Sequence, residues 1–154
     1  YAHNGMSLRQ VLQTLRLYNP SRIILVFGCG GGRAKIRRLE MGEAAGMYAD
    51  KIILTNDNPR DEEPNKIIQD IQEGIGKAKE TTKEATDGKT QNQVEVIMDR
   101  PMAVAKAIQS ARPGDIVLIA GKGHETYQEA GGRRYYMDDH ELVRNAIACR
   151  KNYE

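Results

Sequence analysis

Short apolar runs alternate along the chain with longer segments in which apolar residues recur every three or four positions. The runs lie at 22–27, 51–55, 94–98 and 115–120 and are nearly continuous, as in strands that are covered on both faces. Helical spacing occupies the segments at 7–18 and 39–49, and those that begin at Pro64, at Pro101 and at Asp138 or Asp139. Strands that alternate with helices predict an α/β fold with a mostly parallel sheet, right-handed crossovers and helices on both faces.

Two segments depart from this alternation. Residues 127–136 carry Gly131-Gly132 between two short β-prone runs, and this pattern predicts a hairpin. Residues 76–93 have no apolar face, so we expect the helix from Pro64 to extend briefly and then fade into a mobile surface loop. We also expect Ser7 to be the N-cap of the first helix.

Three loops that carry polar or glycine residues each follow a predicted strand. They are Gly28–Arg33, Asp57–Arg60 and Gly121–Glu125. In a parallel sheet the carboxyl ends of the strands share one edge, and ligands of open α/β sheets bind there. The sequence therefore predicts one site to which all three loops contribute.

The loop Asp57–Arg60 indicates what kind of ligand this site would take. Pro59 ends the strand, and the loop presents a carboxylate, an amide and a guanidinium together. With Arg33 and Glu125 the edge would hold two cations and two anions, which suits an amino acid, Glu125 being an acceptor for its ammonium group. The alternative interpretation is an ordinary turn with a solvated arginine.

The glycine loop and Lys122 do not form complete phosphate sites. Arg33 stands where a dinucleotide fingerprint needs its third glycine, and Gly123 stands where a Walker loop needs Ser or Thr. An anion-binding nest around Arg33 and a flexible glycine turn remain alternatives. His124 and Glu125 lack HExxH spacing, so no metal site is expected. Because no nucleophile–base pair is evident, the pattern indicates a binding half rather than a complete catalytic centre.

Composition narrows the class of protein. The chain has 154 residues, 40% of them hydrophobic and 29% charged, with a net charge of +2, which indicates one soluble globular domain and favours neither nucleic-acid nor membrane binding. No apolar run reaches membrane-spanning length. Cys29 and Cys149 have no CxxC spacing, so a reducing cytosol is the easier fit.

Five strings carry a resemblance to a known family. YAH, VFGCGG-x-R, M-G-x-A-A, DNPRDEEP and AGKGHETYQ occur in this order. Together they resemble the C-terminal domain of the Mur ligases, and especially of the members that add meso-diaminopimelate to UDP-MurNAc-L-Ala-D-Glu in peptidoglycan synthesis. The resemblance spans almost the whole chain.

The resemblance implies that residues 1–154 form a single Rossmann-like, amino-acid-binding domain, part of a longer three-domain enzyme of the bacterial cytoplasm. That enzyme would activate a substrate carboxylate as an acyl phosphate and join it to the incoming amine. ATP and Mg²⁺ would be held mainly by a central domain that this chain does not include, so the domain alone would be inactive.

The resemblance also implies roles for individual residues. Asn58 and Arg60 would recognise the distal end of meso-diaminopimelate, where it differs from lysine by one carboxylate, and His3 would lie near the nucleotide. The residues that would bind meso-diaminopimelate are Arg33, Asp57, Asn58, Arg60, Gly121 and Glu125.

Three positions depart from the family pattern. Ala34 replaces a common acidic residue, Arg37–Met41 differs from the usual KRPLM, and Gly5 replaces a proline. Ala34 and the Arg37–Met41 stretch support one alternative, a degenerate binding module without ligase activity. A second alternative is a ligase of the same superfamily that uses another amino acid.

Overall fold

The computed structural model describes residues 2–85 and 92–151, which contain five helices and six strands. The helices are α1 (Gly5–Arg16), α2 (Lys35–Tyr48), α3 (Pro64–Ala85), α4 (Arg100–Ser110) and α5 (Asp139–Lys151). The strands are β1 (Ile23–Phe27), β2 (Lys51–Leu54), β3 (Gln93–Val96), β4 (Ile116–Ile119), β5 (Tyr127–Ala130) and β6 (Arg133–Tyr136).

Among these residues, four strands form a parallel sheet in the order β3-β2-β1-β4. The register pairs Phe27 with Leu54 and Val26 with Ile119, so β1, β2 and β4 end close together. Strands β5 and β6 pair antiparallel as a hairpin around Gly131-Gly132. The predicted parallel sheet and the predicted hairpin are both confirmed.

The sheet has a hydrophobic core on each face. Leu25 and Phe27 of β1 join the core made with α1, α2 and α3, whereas Ile24 and Val26 join the core made with α4 and α5. Successive side chains of a strand point to opposite faces, so β1 is apolar throughout because both of its faces are covered. The predicted α/β fold with helices on both faces is confirmed. In the described parts of the chain, no helix is both long and apolar enough to cross a membrane.

Two helix starts differ from the sequence prediction. Asn4, not Ser7, is the N-cap of α1, since the Asn4 side chain accepts a hydrogen bond of 2.8 Å from the Ser7 backbone N–H. Helix α2 begins at Lys35 rather than near Leu39. Its basic first turn lacks apolar periodicity, but Lys and Arg are good helix formers and Arg38 is buried.

The expected extension of the helix is present but longer than predicted, so residues 76–85 are helical rather than a surface loop. Helix α3 continues to Ala85, and β3 begins at Gln93. Ala78 is fully buried, and the Asn92 amide donates to the Gly46 carbonyl at 2.7 Å. A helix that extends past its apolar stripe needs only residues of good helix propensity, which Lys, Ala and Glu supply here. Residues 86–91 lie outside the described part of the chain.

Helices α2 and α3 pack closely through glycines. A Cβ on Gly42 would lie 2.1 Å from the Ile71 carbonyl oxygen, and a Cβ on Gly74 would lie 2.1 Å from the Leu39 carbonyl oxygen. Both neighbours are backbone atoms of a helix and cannot turn aside. The distance between the two helices therefore depends on the absence of side chains at these positions.

We expect Gly74→Ala to destabilise the chain by about 2 kcal/mol, because overpacking outweighs the gain of about 1 kcal/mol in helix propensity. Gly76→Ala is the matched control in the same helix, since a Cβ there would meet nothing within 4 Å. It should stabilise by about 0.5–1 kcal/mol. Urea unfolding of both variants measures the difference, and equal effects would contradict close packing at Gly74.

Candidate functional site

A cleft of about 200 Å³ lies where the three loops meet at the carboxyl edge of the sheet. Every residue proposed from the sequence lines it, and their convergence on one cleft is as predicted. They are His3, Arg33, Asp57, Asn58, Arg60, Gly121 and Glu125. Four residues that the sequence did not indicate as binding residues also line the cleft: Cys29, Arg37, Arg38 and Met41.

The loop 57–60 is locked against the glycine loop. Arg60 has a left-handed backbone with φ of 55°, and its Nη1 donates to the Gly31 carbonyl at 2.9 Å. The Gly31 N–H donates to the Asn58 carbonyl at 2.8 Å. A Cβ on Gly31 would lie 1.9 Å from the Pro59 oxygen, so glycine is required for this approach. The glycine turn is therefore a packing surface for loop 57–60.

Lys122 lies fully buried beneath loop 57–60. Its ammonium is 3.2 Å from Asp57 Oδ1 and donates to Asn58 Oδ1 at 3.0 Å and to the Tyr127 carbonyl at 2.7 Å. The ion pair, rather than a well-aligned hydrogen bond, balances the buried Asp57 Oδ1. Burial lowers the pKa of Lys122, and the charge of Asp57 opposes that change.

The sequence analysis weighed Lys122 only as a phosphate ligand and so missed this role. The Asp57 carboxylate, which was counted as one of the anions available to a ligand, is partly committed to Lys122. The available signal was a charged residue at the third position after each of two strands in one sheet, Asp57 after β2 and Lys122 after β4. Both residues had to reach the same edge, where they could pair.

The hairpin supports loop 57–60 from the other side. Gln128 Nε2 donates to the Asp57 carbonyl at 2.7 Å, and the Glu129 N–H donates to Asn58 Oδ1 at 2.9 Å. The Arg60 N–H donates to the Glu129 carbonyl at 3.0 Å, and Arg60 forms a single parallel bridge with Ala130. Sequence patterns predicted the hairpin but contain no signal for where it docks.

A buried arginine holds the glycine loop. Arg38 donates to both Glu62 oxygens at 2.7 and 2.6 Å, to Asp70 at 3.0 Å and to the Gly30 carbonyl at 3.3 Å. Glu62 in turn accepts from the Gly32 N–H at 3.0 Å. Hydrogen bonds from Arg38 lower the pKa of Glu62 from 4.5 to about 2. The loop is thus shaped by internal ion pairs.

Arg100 links the ends of two strands by hydrogen bonds. It is buried and forms two hydrogen bonds to the Asp139 carboxylate, of 2.8 and 2.7 Å. It also donates to the carbonyls of Asn56 and Ala120, each at 3.1 Å. These carbonyls lie where β2 and β4 give way to the site loops, so one guanidinium sets the spacing between the loops.

The cleft lacks a ready nucleophile. Burial raises the pKa of the Cys29 thiol from 9.0 to about 12, which keeps it protonated and unreactive near neutral pH. Over residues 2–85 and 92–151, no three His, Cys, Asp or Glu side chains cluster as a metal site. The described residues can bind and orient a charged ligand, with arginines for carboxylates and Glu125 for an ammonium group.

The chain is similar in sequence and structure to known ligases. Residues 1–123 match the family described as "Mur ligase, glutamate ligase domain". Over 150 residues the chain is 45% identical to the UDP-N-acetylmuramoyl-L-alanyl-D-glutamate--2,6-diaminopimelate ligase of Chlorobium phaeobacteroides, covering 96% of this chain and 27% of that protein. Identity to the Aquifex aeolicus protein of the same name is 44% over 147 residues, with 96% of this chain and 28% of that protein covered.

A solved structure of a UDP-N-acetylmuramoyl-L-alanyl-D-glutamate--2,6-diaminopimelate ligase superposes with a TM-score of 0.83. The two sequences are 40% identical, and the matched region covers 98% of this chain and 28% of the chain in that structure. The chain thus spans 27 to 28% of the length of these two curated relatives.

We expect Glu62→Gln to destabilise the chain at pH 7 by about 1 kcal/mol. This value is at the low end for hydrogen bonds to charged groups, because the Glu62 side chain is one-third exposed to solvent. Because the pKa of Glu62 is lowered in the folded chain, its ionised carboxylate adds to the free energy of unfolding above pH 4.5. This contribution disappears as the pH falls toward 2. The difference between wild type and variant should therefore shrink from pH 7 to pH 3 in urea unfolding. A constant difference would contradict the ion pair with Arg38.

Proposed function

The chain belongs to the Mur ligase family, and from this we propose that it is the amino-acid-binding domain of an ATP-dependent ligase that adds meso-diaminopimelate to UDP-N-acetylmuramoyl-L-alanyl-D-glutamate. The observation that carries the proposal is the mixed charge of one small cleft. Arg33 and Arg60 face the same space as Glu125 and the Asn58 amide. An amino acid with two carboxylates and two amino groups complements this set.

Each residue has a role in this proposal. Arg60 and Asn58 bind the distal carboxylate of the acceptor, Arg33 binds a second carboxylate, and Glu125 accepts from an ammonium group. Lysine lacks the distal carboxylate and would leave the guanidinium of Arg60 with the Glu129 carboxylate alone, 3.6 Å from its Nε. Sites built to pair a polar group discriminate strongly against an analogue that lacks the group, because the protein partner then stays desolvated and unpaired.

The proposed reaction needs ATP and Mg²⁺ in addition to the acceptor that we assign to this cleft. The dipeptide carboxylate would take a phosphoryl group from ATP, and attack by the acceptor amine on the acyl phosphate would form the amide and release phosphate. The described residues hold no cluster of metal-ligating side chains. Since the chain spans 27 to 28% of the length of its relatives, we place Mg²⁺ and most of the ATP contacts on the remainder of the enzyme, with His3 near the nucleotide, in the bacterial cytoplasm. The role of this domain is to bind and orient the amine.

One observation favours a second candidate, a binding module that no longer supports ligation. Ala34 occupies the N-cap of α2 and makes no side-chain hydrogen bond there. An acidic residue at that position could cap the helix and set the loop that carries Arg33. Acceptor binding without amide formation by the full-length protein would support this candidate.

Arg60→Ala in the full-length enzyme tests the proposal. We expect kcat/KM for meso-diaminopimelate to fall by the equivalent of about 2–5 kcal/mol, because a buried carboxylate would lose its partner. The value for lysine should fall less, because lysine loses only the loop contact that Arg60 makes with Gly31, so selectivity should collapse. Steady-state kinetics with both acceptors measures this.

Arg112→Ala is the matched control, since Arg112 is exposed at the opposite end of β4. It should leave both values unchanged, and thermal unfolding of both variants checks that they fold. Equal use of lysine and meso-diaminopimelate by the unmutated enzyme would overturn the role of Arg60.

A further inference from the structure

We propose that Lys122 is a positioning residue that holds the Asn58 amide in one orientation and thereby determines selection of the distal carboxylate. Lys122 is buried below the cleft, and it acts through the side chain of Asn58. This inference rests on the proposed function, because the ligand that it concerns is the acceptor of that reaction.

Three neighbours define the orientation of the Asn58 amide. Oδ1 accepts from Lys122 Nζ at 3.0 Å and from the Glu129 N–H at 2.9 Å, and Nδ2 donates to Glu125 Oε2 at 3.1 Å. An ammonium and a backbone N–H can only donate, and a carboxylate can only accept. A flipped amide would place its NH₂ group against two donors and its oxygen against a carboxylate. The chemistry of the partners therefore permits a single orientation.

Lys122 is itself held rigidly enough to impose this choice. Its three N–H donors have three oxygen neighbours, on Asp57, Asn58 and Tyr127, at 3.2, 3.0 and 2.7 Å. The side chain is fully buried, so water does not compete for these partners. The ion pair with Asp57 offsets the cost of the buried charge. The ammonium is consequently a fixed donor under the loop.

The fixed amide presents a donor on the side of Glu125, which lines the cleft. Nδ2 has two N–H groups, and Glu125 takes one of them. The other can donate to a ligand carboxylate beside Arg60, whereas an amide oxygen in its place would repel that carboxylate. Selection thus depends on a buried lysine that has no need to touch the acceptor.

Asn58→Asp tests the orientation without disturbing Lys122. An aspartate keeps an acceptor for Lys122 and the Glu129 N–H, so the variant should still fold, and thermal unfolding checks this. It also places an oxygen opposite Glu125 and removes the donor. We expect kcat/KM of the full-length enzyme for meso-diaminopimelate to fall about 100-fold or more, with a smaller loss for lysine. Retention of meso-diaminopimelate activity within about threefold would overturn the assigned orientation.

A double-mutant cycle tests whether Lys122 acts through Asn58. Lys122→Met should raise KM for meso-diaminopimelate about tenfold with kcat nearly unchanged. In an Asn58→Ala background the same change should leave KM unaltered, because the amide that Lys122 orients is gone. Effects that multiply in the double variant would overturn the proposal. If Lys122→Met does not fold, Asn58→Asp still decides the orientation of the Asn58 amide, on which the role of Lys122 depends.

Arg100→Met is the matched control for a buried cation at the same edge. Arg100 donates to the carbonyls of Asn56 and Ala120 and makes no bond to the Asn58 amide. Its effect should therefore multiply with that of Asn58→Ala, as expected for a residue that spaces the loops. Coupling as strong as that of Lys122 would show a general structural effect and would overturn the specific role.

The unmutated enzyme separates the two proposals. If it makes no amide with meso-diaminopimelate, the proposed function fails, and the inference falls with it. If it prefers meso-diaminopimelate to lysine but Lys122→Met and Asn58→Ala act independently, the proposed function stands and only the role of Lys122 fails.

Discussion

The carboxyl edge of the parallel sheet is the constraint on which the cleft depends. Strands β1, β2 and β4 lie side by side in register, and each passes into a loop at this edge. The carbonyls at the strand ends and the polar groups of the loops lie close together at this edge, where surrounding side chains exclude water. Buried polar groups need partners, so the edge requires internal donors before it can present any group to a ligand.

Buried cations supply many of these donors. Arg38, Arg100 and Lys122 come from α2, α4 and the loop after β4, and each pairs with a carboxylate of another element. Each also donates to a backbone carbonyl, at Gly30, Asn56 and Tyr127 respectively. Buried ion pairs contribute little net stability, but removing one partner is costly. Their effect here is to hold three loops in one arrangement.

This arrangement explains how the proposed amino-acid-binding domain can be specific for its ligand. The groups that face the cleft have their orientations set by contacts beneath them: Arg60 by the glycine loop and the hairpin, and Asn58 by Lys122 and Glu129. A site whose groups are already oriented loses little entropy when it binds. Such a domain suits the ligase that we propose, in which recognition of the amine and activation of the carboxylate lie on different parts of the protein.

Local sequence patterns determined the α/β alternation, the hairpin and the loops that converge. The burial of a strand and the formation of a turn both depend on residues that are close together in the sequence. The polar and glycine residues after the strands were therefore sufficient to locate the cleft. The tertiary structure alone decided that Lys122 lies beneath Asn58, that Arg38 holds Glu62, and that the hairpin docks on loop 57–60. These contacts join residues far apart in the chain, and a charged side chain becomes a buried partner only when packing brings its counter-charge to it. Helix α3 continues to Ala85 because residues of good helix propensity follow its apolar stripe and Ala78 is buried there.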